Sequence, residues 1–126
     1  AKAPDQLAIF YDVLSRALID ESQDYERGLQ ALQDGLSVSN EVQDTRKRDK
    51  LIGFFTEKIR LIETYLNASQ NVSSEPQKVI KTCADLLRTA NVESTIRSED
   101  IYMLMVQCYI IQSNFQNAHK ILDGIH

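Results

Sequence analysis

The sequence predicts an all-α fold of about six helices stacked as antiparallel pairs, and three observations carry that prediction. Only 4 Gly and 2 Pro punctuate the 126 residues. No stretch sustains a strict apolar/polar alternation for a strand's length, whereas apolar residues recur at i, i+3, i+4 and i+7 in one segment after another. Two arrangements satisfy this pattern: a right-handed helical array of three pairs, or a three-helix bundle plus a three-helix extension. With 43% hydrophobic and 25% charged residues, the chain has the composition of a single globular domain that can fold without disulfides or metals.

The first helix is expected over about residues 4–20, with Pro4 in its first turn and Leu7, Phe10, Tyr11, Leu14, Ala17 and Leu18 as its apolar stripe. The polar run Asp20–Asp24 interrupts the stripe and offers capping side chains. A second helix over about 23–38 then carries Tyr25, Leu29, Leu32 and Leu36. Residues 39–50 are almost wholly polar, so the third helix starts somewhere between Asn40 and Lys50. Its core face reads Leu51, Phe55, Ile59, Ile62 and Leu66, widened by Ile52, Phe54 and Leu61.

The Ser- and Asn-rich stretch 67–74 reads as a linker between sub-units 1–66 and 75–126 of one helical domain, 1–126. Ser74-Glu75-Pro76-Gln77 looks like a capped start for a fourth helix bearing Val79, Ile80, Cys83, Leu86, Leu87 and Ala90. Ser98-Glu99-Asp100 repeats that logic for a strongly apolar fifth helix, Ile101 to Gln112. The short turn at Ser113-Asn114 then forces the sixth helix, with Phe115, Ala118, Ile121, Leu122 and Ile125, to lie antiparallel to it.

Charge and chemistry narrow the function. Fourteen basic against 18 acidic residues leave a net charge of -4, the wrong sign for a domain that neutralises phosphates, so nucleic acid is disfavoured as a ligand. No apolar run is long enough to insert in a membrane, and the opening Ala1-Lys2-Ala3-Pro4 has no signal-peptide core. Cys83 and Cys108 both fall on apolar stripes, as reduced core thiols do, which points to an intracellular, cytoplasmic or nuclear, compartment. Asn67-Ala68-Ser69 and Asn71-Val72-Ser73 fit the glycosylation acceptor pattern, a match short enough to arise by chance. The residues that could do catalysis do not assemble: His119 sits at a polar helix position, His126 ends the chain, and the cysteine spacing is no zinc pattern. The expectation is no enzyme, no cofactor and no metal.

A family resemblance enters in the last two helices. Tyr102, Met105, Val106, Tyr109, Phe115, Ala118 and Leu122 lie in an order that resembles the tetratricopeptide repeat (TPR), in which large aromatic, leucine, small and aromatic positions precede a tight turn and a close-contact alanine. Ser113 stands where that family's turn usually has Gly. Phe10, Val13, Leu14 and Ala17 followed by Tyr25, Gly28 and Leu32 echo the arrangement with a longer turn. The first three helices are also similar to a microtubule-interacting-and-trafficking (MIT) domain, through Asp24-Tyr25-Glu26 and the segment Lys58–Leu66.

These resemblances imply a non-catalytic adaptor or scaffold module that binds a partner's helix or peptide in a groove between successive first helices. A dimerisation or assembly domain of a larger complex is the alternative, and a homodimer stays open. Tyr11, Tyr65 and Tyr102 are candidate anchors for the partner. Arg46, Lys47, Arg48 and Lys50, the one basic cluster, are candidates for gripping an acidic segment of it.

Overall fold

The computed structural model describes residues 3–125. Its α-helices run in the order α1 (Pro4–Ser22), α2 (Tyr25–Ser39), α3 (Thr45–Gln70), α4 (Pro76–Arg88), α5 (Ser98–Ile111) and α6 (Phe115–Ile125), with a short 3-10 turn at Val92–Ser94. The described residues contain no strand. The all-α expectation therefore holds, as do helical hairpins as the building unit. The chain divides into two compact units, Ala1–Ile62 and Glu63–His126. The stretch expected as a linker is helical through Gln70, and only 71–74 turns.

In the first unit α1 packs along α2. Gln23 closes α1 in the left-handed conformation, its N–H donating to the Ile19 carbonyl and the Asp24 N–H to that of Leu18, and the Asp24 carboxylate then accepts from the Arg27 N–H at 3.0 Å to start α2. The buried face of α2 is Tyr25, Gly28, Ala31, Leu32, Gly35 and Ser39. Two glycines on that face let neighbours in. A Cβ at Gly28 would meet Ile19 Cγ1 at 2.8 Å, and one at Gly35 would meet the Phe55 ring at 2.5 Å. The Ser15 hydroxyl uses the close approach to donate to the Gly28 carbonyl at 2.8 Å, which satisfies a buried polar group.

This close packing corrects the expected orientation of α1. Its buried residues are Ala8, Ser15 and Ile19, while Phe10, Leu14 and Ala17 of the expected stripe face outward. The reason is steric, because the missing side chain of Gly28 leaves a hollow that Ile19 and the Ser15 hydroxyl fill, which turns that face of α1 inward. Phe54, expected in the core, is also exposed, whereas its neighbour Phe55 is fully buried. The start of α3 falls inside its expected window, while those of α4 and α5 differ from expectation. Asp44 opens α3, accepting from the Lys47 N–H at 3.1 Å, so the basic cluster lies on a helix. Glu75 and Arg97, not Ser74 and Ser98, occupy the caps of α4 and α5, and neither makes a side-chain capping bond.

In the second unit α4 packs on α5, and α5 on α6. Val79, Ile80, Cys83 and Leu86 of α4 are buried, as are Ile101, Leu104, Val106 and Cys108 of α5 and Ala118 of α6. Ala90, expected on α4, lies beyond its end and is exposed. The connection after α4 is part of the core. Val92, Thr95 and Ile96 tuck in from the 3-10 turn, entered through Asn91 at φ 62. Ser113 turns the chain into α6 at φ 58, in the region where glycine is favoured.

Candidate functional site

A helix that is apolar all round normally has protein on every side. The outward face of α1 carries Ile9, Phe10, Val13 and Leu14, with Ile9 58% and Val13 60% exposed. At 3.6 residues per turn these side chains share one surface opposite Ala8, Ser15 and Ile19. Phe10 and Tyr11 meet edge to face with ring centroids 5.6 Å apart. Leu14 and Leu18 continue the surface towards α2, where they border a shallow cleft with Arg27, Gln30, Ala31 and Asp34.

On the other flank, α1 and α3 enclose a cleft of about 280 Å³ lined by Ile9, Asp12, Lys50, Leu51, Phe54 and Phe55. Its polar groups are few and specific. Lys58 Nζ donates to Asp12 Oδ1 at 2.9 Å and lies 4.5 Å from the Phe54 ring centroid, so one ammonium neutralises the carboxylate and rests on the aromatic face. Lys50 is exposed at the rim. The cleft is thus an apolar floor with a positive charge at its rim.

The structure distributes the seven expected partner-binding residues unevenly. Lys50 lines the cleft. Arg46 and Lys47 are exposed on the first turn of α3 beside it, and Arg48 reaches Asp49 at 3.9 Å. Tyr11 is half-buried next to the outward face. Tyr65 and Tyr102 belong to the second unit. Tyr65 is half-buried, and burial, reinforced by the Asp100 carboxylate and Cys83, pushes its phenol up to about 12. Tyr102 is exposed on α5. The residues here that the sequence reading did not name as partner contacts are Ile9, Asp12, Val13 and Lys58. The available signal was that Ile9 and Val13 fall off the expected stripe, which makes α1 apolar on both faces.

Elsewhere the chemistry is sparse. Among the described residues no group of three or more His, Cys, Asp or Glu side chains is placed to hold a metal ion, and no helix is long and apolar enough to cross a membrane. His119 is solvated beside Asp123 at 3.4 Å, and His126 lies outside the described residues. Cys83 and Cys108 are free and fully buried. Burial, with Cys108 nearby, pushes the Cys83 thiol up to about 12 and burial raises that of Cys108, so neither is a poised nucleophile.

Hairpins joined by short turns, close contact over small residues and a TPR-like order in α5 and α6 all point one way, and a comparison with protein families agrees. The family model of the C-terminal TPR domain of intraflagellar transport protein 140 matches residues 5–126. Domains of the TPR type generally mediate protein–protein interaction or assembly and are generally non-catalytic scaffolds. The match spans both units, and the chain belongs to that family of C-terminal TPR domains.

Proposed function

We propose that this chain is a non-catalytic adaptor or assembly module whose first unit docks an amphipathic helix of a protein partner on the outward face of α1 and in the α1–α3 cleft. The carrying observation is the contiguous apolar surface of Ile9, Phe10, Val13, Leu14 and Phe54, all exposed. Isolated exposed apolar residues are ordinary, whereas a grouped set rimmed by charge marks an interaction site. The partner's helix carries acidic residues beside its apolar stripe, because the rim offers Lys50, Lys47 and Arg46, none of which has an ion pair of its own among the described residues.

The position of those cations supports the reading. Arg46, Lys47 and Arg48 sit in the first turn of α3, which contains no acidic residue, at the positive end of the helix dipole. Each cation there costs roughly 0.3–1 kcal/mol of helix stability at low salt, so local stability does not explain them. The buried free thiols support a reducing compartment, cytoplasmic or nuclear.

The test is fluorescence anisotropy with a labelled helical peptide bearing leucines at i, i+3, i+4 and i+7 and glutamates at its N-terminal end. Saturable binding that disappears in Val13→Asp and weakens in Lys50→Glu at low salt is the expected outcome. Binding unchanged in both variants, or none at all, overturns it.

A further inference from the structure

The second unit carries a complementary surface. Met103, Gln107 and Ile110 follow one another at i, i+4 and i+7 along α5. Met103 and Ile110 are exposed, as are Ile111 and, across the turn, Phe115. No described element of that unit covers them. Where the α1 face is rimmed by cations, the start of α5 has an acidic surplus, with Glu93, Glu99 and Asp100 against Arg97. Glu99 approaches Arg97 at 3.4 Å and keeps most of its side chain exposed.

We propose that the occupant of the α1 face is the α5 face of a second copy of this chain, so that copies associate head to tail. This rests on the helix-docking reading above and names its partner. The chain carries both halves of the contact: an apolar helix face with a basic rim, and an apolar helix face whose N-terminal end is acidic. The basic rim lies at the N-terminal end of α3, against the Ile9 and Asp12 turns of α1. Pairing Lys50 with the second copy's acidic helix start therefore sets that helix parallel to α1. A contact between two different surfaces is heterologous, and unless its rotation closes a ring it adds copies without limit.

A twofold contact of α1 on α1 is disfavoured by charge. It would bring together helices acidic at both ends, with Asp5 at the start and Glu21 near the end. Asp20, also in the last turn, is already paired with Arg16 at 2.9 Å.

The experiment is light scattering and sedimentation of the 126-residue chain over a rising concentration series. The expected result is an average mass that climbs past that of a dimer. Val13→Asp and Ile110→Asp, both at exposed positions, should each weaken association by roughly a hundredfold, since each places a charge at the centre of a drying contact. Mixed together, the two variants should form a one-to-one dimer, because each keeps the surface the other has lost. Lys50→Glu and Glu99→Lys should each weaken association about fivefold, and the two together in one chain should restore it. A mass that stops at the dimer, with no pairing between the two variants, overturns the proposal in favour of a twofold contact. A chain that stays monomeric yet binds the acidic peptide overturns self-association alone. One that does neither overturns the docking reading as well.

Discussion

Helices α1 and α4 both begin with a proline in the first turn, yet α4 buries its apolar stripe and α1 leaves most of its own outside. Helix α4 turns Val79, Ile80, Cys83 and Leu86 inward. Helix α1 turns Ala8, Ser15 and Ile19 inward and leaves Ile9, Phe10, Val13 and Leu14 outside. The difference lies in what faces each helix. Helix α2 presents Gly28, whose missing side chain leaves a hollow that Ile19 and the Ser15 hydroxyl fill. Fit to that hollow therefore decides which face of a doubly apolar helix goes in, and hydrophobicity alone does not. The apolar residues left outside are free to serve a contact with something else.

The sharpest way to break this comparison is the adjacent pair Phe54 and Phe55, which are 43% and 0% exposed. Phe55→Ala should cost about 3–5 kcal/mol in urea denaturation, because it empties the place against Gly35. Phe54→Ala should cost well under about 1 kcal/mol and weaken peptide binding instead. Equal losses for both would mean that the outward face is part of the core.

Gly35→Ala tests the role of small residues more directly. Alanine favours a helix by about 1 kcal/mol over glycine, yet its Cβ would lie 2.5 Å from a ring that has no room to move. A net loss of about 1–3 kcal/mol is expected. A gain in the thermal midpoint would show that close approach is not what orients these helices.

The second unit should answer to alkali. Its Cys83 thiol is held up from an ordinary 9.0 to about 12, and the Tyr65 phenol from 10.0 to about 12. Both are neutral when folded and ionise earlier when unfolded. Their contribution is thus complete below about pH 9 and is lost as pH rises towards 12, a loss of at least about 1 kcal/mol near pH 10.5. Denaturation at pH 8 and pH 10.5 measures it, and Cys83→Ala should narrow the gap between the two midpoints.

The smallest effect belongs to the α5–α6 turn. Ser113→Gly removes a side chain from φ 58 and should stabilise by about 0.5–1 kcal/mol, read as a small rise in the melting temperature.

The helices were legible in the sequence because the 3.6-residue period and the scarcity of breakers need no tertiary information. An expected first helix over 4–20 became Pro4–Ser22, and the sixth helix was placed where it lies. The facing of α1 was not legible, because both of its faces are apolar and the arbiter, Gly28, sits on another helix. Caps misled for a related reason. A serine two residues before Pro76 has the right chemistry, but Ser74 spends its hydroxyl on Asn71, at 3.4 Å from both its carbonyl and its side-chain oxygen. Of the candidate site, the basic rim was visible as a charge run. The apolar floor beneath it was not, since Phe54 reads as core by spacing and only packing separates it from Phe55.

The two thiols make the second unit its own stopwatch. Cys83 and Cys108 are the only cysteines of the chain, and both are sealed from solvent. A thiol reagent can reach them only when the surrounding helices part, so labelling counts opening events without any added probe. Cys83 lies on α4 and Cys108 on α5, so unequal labelling rates would report which helix lifts first. Equal rates would report that both leave together, as one cooperative unit. Any partner that clamps α5 would slow the clock, and a partner confined to α1 would leave the second unit's own rhythm to run.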